Sequence, residues 1–128
     1  MKKILLLTSL VTSSLFADLT WHKYSEALEI AKAENKIVMV MLSREDCPAC
    51  EYMKDIVFED KKIMETFEKS FVAVQVDIHK DYIPNSLTYI GTPTFHFLSK
   101  YESKIDRIDG GENTKTFLDK LEELAPKK

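Results

Sequence analysis

The stretch Ile37-Val38-Met39-Val40-Met41-Leu42-Ser43-Arg44-Glu45-Asp46-Cys47-Pro48-Ala49-Cys50 decides the architecture. Residues 37–42 form a continuous apolar run of strand length, the mark of a strand covered on both faces. Ser43 to Asp46 is polar and reads as a loop. Pro48 then opens a helix, because proline is favoured at the first helical position, where its missing N–H costs nothing. Two cysteines therefore stand where a buried strand hands over to a helix.

Working outward, Tyr24 to Glu34 carries Ala27, Leu28 and Ala31 at helical spacing, with Ser25 at its start and Asn35-Lys36 at its end. Downstream, Ile56, Val57 and Phe58 close the cysteine helix. Asp60 is placed to cap a shorter helix with Ile63, Met64 and Phe67. Phe71 to Ile78 is a second strand, and Leu87 to Ile90 is expected to form a short helix. Thr94–Leu98 and Lys104–Ile108 read as a hairpin. After Gly110-Gly111, Thr114 opens a final helix with Phe117, Leu118, Leu121 and Leu124 on one face. Alternating helical and strand periods of this kind specify an α/β fold around a mixed central sheet.

The position of the cysteine pair has chemical consequences. Unpaired N–H groups and the helix dipole favour a thiolate at the first turn. A two-residue spacing lets Cys50 resolve a mixed disulfide formed on Cys47. Cys47 is expected to be the exposed attacker and Cys50 the buried resolver. Glu45, Asp46 and Glu51 oppose a thiolate by their charge, and Arg44 could offset one of them. A zinc site normally takes four ligands, yet the chain has no other cysteine, and His22, His79 and His96 are scattered. A structural staple is a poor alternative, since so small a loop restricts the unfolded chain little.

The 128 residues suit one domain, and an apolar share of 45% can supply a core. A formal charge of −3 leaves no basic footprint for nucleic acid. Residues 1–17 differ from the rest. Met1-Lys2-Lys3 is followed by an apolar run from Ile4 that becomes hydroxylated and ends at Ala17, the pattern of a secretory signal. The run falls short of the ~20 residues a membrane span needs. The expectation is a signal peptide over 1–17, with an uncleaved membrane anchor as the rival reading, a mature domain over 18–128 and a periplasmic location.

The Cys47-Pro48-Ala49-Cys50 motif, taken with Gly91-Thr92-Pro93-Thr94, resembles the thioredoxin superfamily, and the resemblance covers essentially the whole chain beyond residue 17. It implies the thioredoxin-like fold, with helices flanking the sheet. It also implies a cis-proline at Pro93 beside the sulfurs, and a Thr92 backbone that meets the substrate peptide by strand addition. Trp21, Ala27-Leu28, Ala31-Lys32, Lys36 and Val57-Phe58 are similar to exported relatives akin to the C-terminal domain of a transmembrane thiol reductase. Three positions depart from general thioredoxins: Asp46 replaces a tryptophan, Met41 a buried acid and Glu51 a lysine. Glu45, Glu51 and Asp77 are the candidates for any general base.

The resemblance implies a thiol-disulfide oxidoreductase of the bacterial cell envelope that reduces or exchanges disulfides of substrate proteins. It would need no cofactor and be recharged by a membrane-borne thiol donor; monomer is the default expectation, because no long exposed dimerisation segment is visible. The competing reading is a Cu(I)-handling metallochaperone using the same cysteines, since Met39, Met41, Met53 and Met64 supply soft sulfur nearby. Core packing is the simpler role for Met39, Met41 and Met53, as it is for Trp21 and Tyr24. His96 is expected to be a packing or surface residue.

Overall fold

Alternation along the central strand divides its side chains between two cores. In the computed structural model, which describes residues 19–126, the strands are β1 (Trp21–His22), β2 (Ile37–Ser43), β3 (Phe71–Asp77), β4 (Thr94–Leu98) and β5 (Lys104–Asp109). The helices are α1 (Tyr24–Glu34), α2 (Pro48–Tyr52), α3 (Lys61–Ser70) and α4 (Thr114–Leu124). The sheet runs β1-β3-β2-β4-β5, with β2 in its centre. Parallel pairing carries β2 against β3 from Ile37↔Phe71 to Ser43↔Asp77. Antiparallel pairing carries it against β4 from Val38↔Leu98 to Leu42↔Thr94. This is the expected mixed sheet. The expected signal over 1–17 lies outside the described residues.

Ile37, Met39 and Met41 join one core with both cysteines and with Val57, Ile63, Phe67, Phe117 and Leu121 of the helices on that face. Val38, Val40 and Leu42 join the other, which α1 covers with Ala27 and Ala31. Phe58 is the hub of the first core. Trp21, Phe67, Phe95 and Phe117 meet it edge-on, with ring centroids 5.4 to 6.0 Å away, the geometry that aromatic quadrupoles favour. Asn35 ends α1 in the left-handed conformation at φ 55°. The Asp60 carboxylate caps α3 by accepting from the N–H groups of Lys62 and Ile63.

Two elements differ from the sequence reading. Leu87 to Ile90 is not helical; a short 3-10 turn at Pro84–Ser86 precedes it instead. Leu87 leaves that turn in an extended conformation and is buried in the second core. The Thr88 carbonyl is engaged by a side chain, His96, in place of a helical N–H. The second difference is β1, only two residues long, which pairs in parallel with Ala73 and Val74. Among the described residues, no helix is long and apolar enough to cross a membrane.

Candidate active site

Cys47 acts as the N-cap of α2. Its backbone is extended, and its sulfur accepts the N–H of Cys50 at 3.2 Å, as a serine or aspartate oxygen does at other helix starts. Pro48 occupies the first helical position. One turn brings the Cys50 sulfur onto that of Cys47, and the two form a disulfide with Cα atoms 5.2 Å apart. The helix continues through a π turn at Met53–Val57 that buries Met53 and Val57.

A second segment closes over the pair from 45 residues away. The Thr92–Pro93 peptide bond is cis, and Pro93 is buried. The Thr92 hydroxyl donates to Cys47 Sγ at 3.3 Å, and the Thr92 carbonyl oxygen lies 3.5 Å from the same sulfur. The structure thus brings Cys47, Cys50, Thr92 and Pro93 together. It corrects the expectation that Cys47 is exposed. Cys47 retains only 2% exposure and Cys50 none, because the loop carrying Thr92 shields the first sulfur. The neighbours Pro48 and Ala49 are exposed.

The Cys47 sulfur therefore has two donors, one from the helix and one from the loop. Hydrogen bonds to a charged form favour it, so both stabilise a thiolate once the disulfide is reduced. Among the described residues, Arg44 pairs with none of the nearby carboxylates. Its guanidinium donates to the carbonyl oxygens of Glu45 and Asp46 at 3.0 and 2.7 Å, which braces the turn where Asp46 takes a positive φ of 54°. The Glu45 carboxylate pairs with Lys80, and Glu51 pairs with Lys54 at 3.2 Å. Asp77 accepts from the N–H groups of His79 and Lys80. Among the described residues, none of these three carboxylates bonds to either cysteine sulfur.

Met39, Met41 and Met53 are committed elsewhere, and Met64 is half-buried on α3. Met39 and Met41 are fully buried in the sheet. Met53 Sδ accepts the N–H of Glu112 at 3.4 Å, on the chain that follows β5. There Gly111 passes close to Ala49, and a Cβ at that glycine would lie 3.7 Å from the alanine methyl. Among the described residues, no group of three or more His, Cys, Asp or Glu is placed to hold a metal ion. A cavity of about 310 Å³ lined by Leu19, Ile30, Phe67 and Phe71, among others, includes neither cysteine.

The side chain of Thr92 is what the sequence reading missed. The Gly-Thr-Pro-Thr motif directed attention to its backbone, and its hydroxyl acquires meaning only when the loop is laid against Cys47. A strand-to-helix cysteine pair under a cis-proline loop, on a central mixed sheet, is the arrangement a thioredoxin-like domain displays, and residues 24–125 match the model of that family. The chain belongs to the thioredoxin-like family. It is similar to a thioredoxin from Thermus thermophilus, 29% identical, covering 84% of this chain and 87% of that one with a TM-score of 0.68. It shares its fold with a protein described as DsbH oxidoreductase, 21% identical over 97% of this chain and 96% of that one, TM-score 0.64. An uncharacterized protein of Archaeoglobus fulgidus is 24% identical over 86 residues, 64% of this chain and 68% of its own.

Proposed function

We propose that the protein is a thiol-disulfide oxidoreductase of the bacterial cell envelope that reduces or exchanges disulfides in substrate proteins. The observation that carries this reading is the convergence of the Cys50 N–H and the Thr92 hydroxyl on Cys47 Sγ, with the Cys50 sulfur in bonding contact. In the reduced protein, the Cys47 thiolate attacks one sulfur of a substrate disulfide. The S–S bond breaks and the other substrate sulfur leaves as a thiolate. Cys50 then gives up its proton and attacks Cys47 Sγ, which releases the second substrate thiol. Two electrons pass to the substrate, one proton comes from Cys50 and the other from solvent, and the protein is left as the Cys47–Cys50 disulfide.

Both sulfurs are buried, so the substrate must reach Cys47 along the loop that shields it. Thr92 and Pro93 are the residues assigned to receive an extended peptide there. A membrane-borne thiol donor would return the two electrons. The envelope location draws on the leader-like residues 1–17.

Insulin reduction by wild type and by Cys47→Ser tests the activity. Turnover by wild type with loss in the variant is expected, and equal rates would overturn the proposal. The potential of the Cys47–Cys50 couple sets the direction. A value near thioredoxin's, about −270 mV, marks a reductant, and one near about −120 mV an oxidant.

A further inference from the structure

The loop that carries Thr92 is held from the other side of the sheet. Along β4, Phe95 and Phe97 point into the core that contains the cysteines. His96 alternates to the opposite face, pairs across the ladder with Val40, and is only 5% exposed. Its Nε2 lies 2.7 Å from the Thr88 carbonyl oxygen. A carbonyl only accepts, so Nε2 carries the proton and donates. Arg107, directly opposite His96 on β5, donates from Nη1 to Thr88 Oγ1 at 2.7 Å and from Nε to Asp109 at 2.8 Å. Two more bonds secure the loop nearer the cysteines: Thr94 Oγ1 donates to the Gly91 carbonyl at 2.7 Å, and the Gly110 N–H donates to the Pro93 carbonyl at 2.8 Å.

We propose that His96 and Arg107, gripping Thr88 on the far face of the sheet, are positioning residues that set how the Thr92 hydroxyl meets Cys47 Sγ and so tune the reactivity of that thiol. Neither touches a sulfur. Both hold the residue where the loop begins, four positions before Thr92, and the cis-proline follows at once. At 3.3 Å the hydroxyl makes a well-formed bond to the large sulfur atom, and a displacement or rotation of Thr92 would weaken it, since hydrogen bonds depend on both distance and angle. A buried histidine serves here as a clamp where an aliphatic side chain would fill the space and leave the Thr88 carbonyl without its donor. The inference deepens the oxidoreductase reading and rests on it for its biological meaning, though the quantity it predicts belongs to the thiol itself.

The test is the rate of iodoacetamide alkylation of Cys47 against pH, in a Cys50→Ala background where Cys47 is the only thiol. Thr92→Val should slow alkylation near neutral pH about tenfold and move the profile to higher pH, since it removes a hydrogen bond to a charged acceptor. His96→Leu should move it the same way by at least about threefold, and His96→Gln, which can still donate to Thr88, should stay within about twofold of wild type. If His96→Leu does not fold, Arg107→Met and Thr88→Val break the second grip and are read identically. A wild-type profile in the folded brace variants, or in Thr92→Val, would overturn the proposal. Failure of wild type to reduce insulin would instead remove the functional reading and leave this measurement valid.

Discussion

Burial is the largest influence on His96 and holds its imidazole below the ordinary histidine range; the cations Arg107 and Lys104 push the same way, against the Thr88 carbonyl and Asp109. The sign of the consequence is fixed. The unfolded chain takes up a proton near the usual value of about 6.5, and the folded chain does so only at lower pH. The stability His96 contributes is therefore complete above that value and is lost as pH falls toward the folded one. The melting temperature of wild type should drop between about pH 7.5 and about pH 5.5, and that of His96→Gln should drop less. Equal slopes would contradict the assignment. Asp106 does not confuse this window, because the Arg107 backbone N–H, and then Lys120, keep its carboxyl below the usual carboxylate range. Four residues of the candidate site were legible in the sequence: Cys47 and Cys50 by position and Thr92 and Pro93 by resemblance. The shielding of Cys47 and the Thr92 hydroxyl contact were not, since both need a loop brought back from 45 residues along the chain, and the bond from His96 to Thr88, only eight residues apart, depends on a loop shape that no local period signals.

Elements were legible where their signals are local. The continuous apolar run of β2 and the helical spacing of α1 both depend on neighbours in sequence. The Asp60 cap of α3 is of the same kind, and it gives a direct test. Asp60→Ala should destabilise the protein by about 1 kcal/mol, through loss of the acceptor for two N–H groups. A lower urea midpoint with an unchanged m-value would register it. Elements governed by tertiary contacts were read poorly. The apolar pattern at Leu87 to Ile90 fits a helix, but Leu87 is drawn into the second core and the Thr88 carbonyl is engaged by His96. The two-residue β1 is too short to show any period, and Trp21 is held there partly by its edge-on contact with Phe58.

At the scale of the molecule, Phe58 joins β1, α3, β4 and α4 through its ring. Phe58→Ala should cost about 3–5 kcal/mol in chemical denaturation. That is a large share of the about 5–15 kcal/mol a domain usually holds, so a loss under about 1 kcal/mol would show that the neighbours collapse into the gap. Reduction of the cysteine pair perturbs the molecule in a very different way. The disulfide joins residues only three apart and closes too short a ring to restrain the unfolded chain much. Folding and reduction form a closed thermodynamic cycle. The free energy separating the stabilities of the oxidised and reduced proteins must equal the gap between the potential of the folded pair and that of the same cysteines in the unfolded chain, about 1.4 kcal/mol for every 30 mV. With chain entropy nearly absent from that balance, the gap falls to the immediate surroundings of Cys47 Sγ, the Cys50 N–H and the Thr92 hydroxyl foremost. How strongly the protein holds electrons and how much its stability changes with redox state are thus one quantity, set by a few atoms.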